Sequence, residues 1–247
     1  MWSVDRGVSI MDVSGAVERA PDVAGRSKRL WRLDDGRCVV QLIPSLTSYT
    51  YRREAMVAGT ERLRLDFYEL CALRMAAAGI LTTFTSRLGP DTYLADYVET
   101  PPFEVIVKNA AQGSTSRKYP GLFPEGHRFQ PPVVKFDYRT SPEDQPIADD
   151  YVRAYGLDPE AMKSLALSAN GLLRVWLAPR DLLDICFVMG PAAGGRFTIA
   201  SEISPDCMRL KGPDGASLDK DLFRHGCDDQ QIVDVWSRLV GELAGGG

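Results

Sequence analysis

Leu182-Leu183-Asp184-Ile185-Cys186-Phe187-Val188-Met189 is an apolar run interrupted by one acid. Read as a strand, it sends successive side chains to opposite faces. Leu182, Asp184, Cys186 and Val188 share one face, and Leu183, Ile185, Phe187 and Met189 share the other. A single carboxylate therefore stands on an otherwise uncharged wall, and such a strand has to be covered by other elements. Arg196 to Ser201 reads as a returning strand, with Gly190-Pro191-Ala192-Ala193-Gly194-Gly195 as the turn of a hairpin.

The rest of the chain alternates strand and helix signals. Residues 1–20 carry no strong periodicity and read as an extension. Leu30-Trp31-Arg32-Leu33, Asp35-Gly36 and Arg37 to Ile43 form a hairpin pattern, because Asp-Gly supplies the positive φ of a tight turn. Glu61 to Ala78 is helical by its Leu63, Phe67, Leu70, Cys71 spacing, and Gly79 stands where it ends. Thr92 to Val98 and Phe103 to Lys108 are short strands split by Pro101-Pro102, which cannot donate backbone hydrogen bonds. The expected organisation is thus an N-terminal β-rich lobe over residues 21–100 and a larger lobe over 101–247. In the second lobe Val133 to Tyr138 is a strand and Ser141 to Asp150 a loop. Asp158-Pro159 caps a helix running to about Leu177, and Asp229 to Leu243 is a final amphipathic helix.

Composition narrows the function. The chain has 247 residues, 45% hydrophobic and 25% charged, enough to bury a sizeable core. A net charge of −4 argues against a broad nucleic-acid surface. No apolar run reaches the roughly 20 residues a membrane helix needs, and no signal peptide is visible. Five scattered cysteines without a CxxC pair read as reduced thiols, which points to the cytoplasm. The expected partner is a small molecule, with self-association left open.

Five motifs in order carry a resemblance. They are Gly25-Arg26-Ser27-Lys28; Phe103 to Asn109 with Gly113-Ser114; Asp184; Ser204-Pro205-Asp206 with Arg209; and Asp219-Lys220-Asp221-Leu222-Phe223-Arg224. Together they resemble SAICAR synthetase, which uses ATP and magnesium to join aspartate to a carboxylated aminoimidazole ribonucleotide. The resemblance covers nearly the whole chain from Gly25 onward. It implies a two-lobed α+β fold, an N-terminal antiparallel sheet lobe and a larger C-terminal α+β lobe, with nucleotide in the cleft between them.

Residue by residue, the resemblance implies roles and also departures. The family's Gly-Lys-x-Lys, whose lysines approach ATP phosphates, here reads Arg26 and Lys28. Its Val-Val-Arg-Asn becomes Ile106-Val107-Lys108-Asn109, and with Ser114 and Arg209 this set implies a handle for a ribose-phosphate. The family's Asp-Phe-Lys-Leu-Glu-Phe-Gly retains Asp184 but replaces lysine by Cys186 and glutamate by Val188. The Asp-Glu across the turn becomes Ser201-Glu202, so the metal-binding aspartate is lost. An earlier family acid has no counterpart in Ser45-Leu46-Thr47-Ser48-Tyr49-Thr50-Tyr51. The lysine-asparagine segment before the first helix becomes Thr60-Glu61-Arg62-Leu63-Arg64-Leu65.

These losses all remove charge from where magnesium and triphosphate would sit, and uncompensated phosphate charge is costly in a cleft. The expectation is a divergent enzyme of specialised-metabolite (natural-product) biosynthesis that binds no cofactor and no metal. It would carry out an ATP-independent cyclisation, rearrangement or elimination in the former nucleotide cleft. Asp184, Glu202 and Asp206 are its candidate catalytic residues. The substrate set is Lys28, Lys108, Ser114, Cys186, Val188, Ser201, Arg209, Lys220 and Arg224. Burial would raise the pKa of Asp184 and suit it to acid or base work, the alternative being a structural carboxylate. Cys186 reads as a packed, inert thiol rather than a nucleophile. Two other readings remain: an ATP-dependent amide ligase using ATP and Mg, which joins an amine such as aspartate to a carboxylate, and a non-catalytic ligand-binding protein.

Overall fold

The computed structural model describes residues 15, 17–141 and 143–246, so most of the expected 1–20 extension lies outside the described residues. The first part of the chain builds an antiparallel sheet from β1 (Val23–Ala24), β2 (Lys28–Arg32), β3 (Arg37–Leu42), β6 (Phe84–Arg87) and β7 (Thr92–Asp96), ordered β1-β2-β3-β7-β6. Between β3 and β6 lie a separate hairpin, β4 (Ser45–Ser48) and β5 (Arg53–Met56), and helix α1 (Thr60–Ala77). Gly36 turns β2 into β3 with φ 84°, as Asp-Gly predicts.

The second part builds another antiparallel sheet from β8 (Phe103–Ala110), β9 (Arg128–Tyr138), β10 (Gln145–Ile147), β11 (Asp181–Phe187) and β14 (Met208–Lys211), ordered β10-β9-β8-β11-β14. Helices α2 (Ser114–Lys118), α3 (Asp149–Ala154) and α4 (Pro159–Leu177) fall between its strands. A two-stranded ribbon, β12 (Met189–Pro191) with β13 (Phe197–Ile199), precedes β14, and α5 (Asp221–Arg224) and α6 (Asp229–Gly245) close the chain. No helix among the described residues is long and apolar enough to cross a membrane.

Helix α1 buries Leu63, Phe67, Cys71 and Met75 four residues apart, and Gly79 ends it at φ 73°. Helix α4 starts where Asp158 accepts from the N–H groups of Glu160 and Ala161 at 3.0 and 3.1 Å, with Pro159 in its first turn. Its buried stripe of Met162, Ala166, Ala169, Leu173 and Leu177 joins Val105, Val107, Ile185 and Phe187 of the sheet in the main core. Each fully buried Leu, Ile or Phe there stabilises by about 1.5–3 kcal/mol. One polar pair crosses this layer: the Asn109 amide donates to Asn170 at 2.9 Å and to the Leu182 carbonyl at 3.0 Å. A second core cluster joins Leu46 and Val57 around the β4–β5 hairpin to Leu63 of α1, Phe223 of α5, and Ile232 and Trp236 of α6. The hairpin is therefore seated on the C-terminal helices.

Several expectations change. The strand expected over Leu182–Met189 ends at Phe187, and β11 pairs with β8 and β14, while the returning strand pairs with β12 instead. A bulge between Leu182 and Asp184 also breaks the alternation, so Leu182 joins Ile185 and Phe187 in the core. The expected loop over 141–150 contains strand β10, which pairs antiparallel with β9.

Candidate active site

On the face of the second sheet opposite α4 lies a cleft of about 380 Å³. Asp184 sits at its floor between two cations. Lys108 Nζ, from neighbouring β8, is 2.7 Å from its Oδ2, and Arg209 of β14 donates to the same oxygen at 2.9 Å. The register makes this triad: Asp184 is opposite Lys108 on one side and Arg209 on the other. Burial alone would raise the Asp184 carboxyl, but Lys108 and Arg209 hold it below its usual range. Asp184 is thus an ionised anchor for two cations, and the raised pKa expected from sequence is corrected by those neighbours.

Gly113 gives Arg209 its place. Its φ is 61°, and a Cβ added there would come 2.7 Å from the Arg209 Cζ. Gly113→Ala will weaken binding of phosphate-bearing ligands by about tenfold or more, by displacing a guanidinium it leaves chemically intact. Calorimetric titration with inorganic phosphate or a sugar phosphate checks this.

Ser114, Cys186, Asp206, Lys220 and Arg224 line the same cleft. Burial first, then Glu104 alongside, pushes the Cys186 thiol well up, and its S–H donates to Glu104 Oε2 at 3.0 Å. This is an inert hydrogen-bonding thiol. Arg224 donates to Asp221 at 2.6 Å, and Lys220 Nζ lies 2.8 Å from Asp206 Oδ1. Val188, Ser201, Lys28 and Glu202 are not part of this lining. Val188 lies past the end of β11, its carbonyl accepting from Ala200 N–H at 2.8 Å.

Lys28 and Glu202 instead meet each other. Lys28 Nζ, at the start of β2, donates to Glu202 Oε2 at 2.6 Å, and Arg64 from α1 donates to the other oxygen. Arg64 is wholly buried and also donates to the Ile43 carbonyl at 3.1 Å. Burial opposes charge on Glu202, yet Lys28 and Arg64 bring its carboxyl down to about 2. Asp206 is likewise held below its usual range, with Lys220 and Arg64 outweighing burial. Two ionised carboxylates and three cations are thus gathered where the two large sheets meet.

Several lining residues are absent from the set read in sequence: Tyr49, Tyr51, Glu104, Arg117 and Lys118, with Arg64 behind them. Arg64 had a signal, being a charge on the apolar stripe of a helix, four residues before Tyr68 and three before Phe67.

The SAICAR synthetase family profile matches residues 23–239. The chain belongs to the SAICAR synthetase family. It is 27% identical over 228 residues to the phosphoribosylaminoimidazole-succinocarboxamide synthase of Thermococcus kodakarensis, covering 90% of this chain and 95% of that protein. It is 30% identical over 227 residues to the protein of the same name from Lactococcus lactis, covering 89% and 94%. Among solved structures, a SAICAR synthetase in complex with ADP superposes with a TM-score of 0.83 at 24% identity, covering 90% of this chain and 97% of that one. The two-lobed α+β expectation is therefore met by the SAICAR synthetase fold.

These comparisons overturn the expected loss of ATP and magnesium, and with it the ATP-independent cyclisation, rearrangement or elimination in specialised metabolism. Relatives spanning nine-tenths of the chain are succinocarboxamide synthases, and a neighbour of the same fold holds ADP. The charges lost at 186, 188 and 201 do not strip the site, because Lys28, Arg64 and Lys220 remain beside Glu202 and Asp206. Among the described residues no three acidic, cysteine or histidine side chains are grouped to hold a metal unaided. Magnesium normally takes one or two carboxylates beside substrate phosphates. Asp206 lines the cleft and is an ionised carboxylate of that kind, whereas Glu202 lies outside the lining with both oxygens paired to Lys28 and Arg64.

Proposed function

We propose that this protein is an ATP-dependent ligase of small-molecule biosynthesis, joining an amine such as aspartate to the carboxylate of a phosphorylated substrate. The carrying observation is the Lys28–Glu202–Arg64 cluster beside a cleft whose floor holds Lys108 and Arg209. Lys28 is the residue that, by the family pattern, approaches the nucleotide phosphates, and Glu202 holds its ammonium in place. Asp206, on the cleft wall, would help hold magnesium beside the substrate phosphates, and the ion when bound would neutralise phosphate charge. Lys108, Ser114 and Arg209 bind the substrate's phosphate, with Asp184 positioning the two cations. In this reading residues 21–100 and 101–247 act as lobes, and the nucleotide lies between them. Five unpaired cysteines support a reducing, cytoplasmic setting.

Titration of the protein with Mg-ATP tests the nucleotide half of this reading. Saturable binding that weakens in Lys28→Ala supports it. Equal heats with and without protein, at concentrations up to millimolar, would refute it.

A further inference from the structure

Cys186 and Cys207 stand opposite each other where β11 pairs with the start of β14. Asp184 is opposite Arg209 and Ile185 is opposite Met208, so the next position sets Cys186 against Cys207. The Cys186 N–H donates to the Cys207 carbonyl at 2.9 Å, which confirms that register. Residues directly opposite in an antiparallel pair hold their Cβ atoms about 4.5–5.5 Å apart, near the ~3.5–4.5 Å span of a disulfide. Both cysteines are half-buried free thiols, and both line the cleft. The family pattern carries lysine at 186, so the pair is this chain's own.

Each sulfur serves a neighbour. Cys207 Sγ caps its own turn, donating to the Ser204 carbonyl at 3.2 Å and accepting from the Ser204 N–H at 3.3 Å. Cys186 donates to Glu104, whose own carboxyl is raised by burial above its usual value and is thereby a better proton acceptor. Burial pushes the Cys207 thiol up to about 12 and the Cys186 thiol well up, so both are slow to react at neutral pH. The N–H donor at Cys207 favours a thiolate there, and the carboxyl group beside Cys186 opposes one.

We propose that Cys186 and Cys207 are a redox modification site, closed by peroxide into a cross-strand disulfide that disturbs the turn carrying Asp206. The Cys207 sulfur attacks first and the O–O bond breaks, giving a sulfenic acid and one water. The Cys186 sulfur then attacks the Cys207 sulfur. Glu104 takes the thiol proton, the S–O bond breaks, and the oxygen leaves with that proton as a second water. Two thiols lose two electrons in all, and one peroxide is reduced to two waters. A reduced pair with no stabilised thiolate favours the disulfide once it has formed. Closure withdraws the sulfur cap from Ser204, two residues before Asp206. The ligase reading above makes Asp206 a magnesium ligand, and on that reading the oxidised protein will bind Mg-ATP about tenfold more weakly.

Peptide mapping tests the bond without reference to nucleotide. Trypsin cleaves after Arg180, Arg196 and Arg209, which puts the two thiols in separate peptides, 181–196 and 197–209. After treatment with hydrogen peroxide these will be recovered joined, two hydrogens lighter than their sum and parted by dithiothreitol. Cys186→Ser and Cys207→Ser will each abolish the joined species. Wholly buried Cys71 of α1 is the other thiol near Cys207, and a peptide joining those two instead would overturn the pair. Separate peptides carrying sulfinic or sulfonic acids would overturn it as well. Calorimetry then compares Mg-ATP binding by the joined and reduced protein. Equal affinities would refute the coupling to Asp206. If the reduced protein binds no Mg-ATP, the ligase reading fails, and the joined peptides alone decide the disulfide.

Discussion

Glu202→Ala will lower the free energy of unfolding by about 3–5 kcal/mol at neutral pH, because it strands a buried guanidinium. Arg64 has 0% of its side chain exposed and Glu202 7%, so water cannot replace the lost carboxylate. The remaining hydrogen-bond partner of Arg64 would be the Ile43 carbonyl, with Asp206 as a counter-charge that makes no hydrogen bond to it, and its Nε has no hydrogen bond even in the wild type. For a chain of this size the melting temperature will fall by roughly 10 °C. Removing both charges in Arg64→Leu/Glu202→Leu will cost less than Glu202→Ala, since no isolated ion is left behind.

The same pair sets an acid limit. The folded carboxyl of Glu202 is at about 2, below the usual glutamate value, so the unfolded chain takes up the proton first as pH falls. Its stabilising effect is complete above about pH 4.5 and is lost as pH drops from there towards about 2. Urea unfolding across that window will show a steep loss in wild type and a shallower one in Glu202→Gln. Parallel curves would show that Glu202 is not the group responsible.

Arg209→Ala will weaken the phosphorylated substrate by about 100-fold, seen as a raised KM with a smaller change in kcat. Its guanidinium lines the cleft, lying against Gly113 while paired to Asp184 at 2.9 Å and within 3.5 Å of Asp221. Truncation leaves Asp184 its Lys108 partner at 2.7 Å, so the floor keeps its shape. Arg209→Lys will recover part of the loss, since an ammonium restores the charge but not the planar fork. An unchanged KM in Arg209→Ala would move the phosphate elsewhere.

Local signals carried much of the fold. Asp35-Gly36, the Asp158-Pro159 cap, Gly79 and the apolar stripe of α6 each act within a few residues, so they are readable before any tertiary contact is known. What failed depended on distant partners. The bulge at Leu182 is set by pairing with β14, and the end of β11 at Phe187 follows from β12 choosing β13. Strand β9 begins at Arg128, five residues before the expected start, because Pro131 and Pro132 fall where pairing with β8 is interrupted between Arg128 and Val133.

The site divides the same way. Lys108, Asp184 and Arg209 were legible through motif order, and register alone brings them together. Arg64, Tyr49 and Tyr51 come from segments where the family pattern is lost, and only packing against Glu202 and α5 gives them meaning. Counting absent acids led to the wrong chemistry because charge in a cleft is decided by pairing, which a linear sequence does not display.

The most direct test is to measure ADP and amide product together, with Mg-ATP, an imidazole carboxylate ribonucleotide and aspartate or another small amine. The ligase reading predicts one ADP per amide formed, no sustained ADP release when either the carboxylate or the amine is omitted, and loss of both products in Lys28→Ala. Product formed from the ribonucleotide at the same rate without ATP would contradict it.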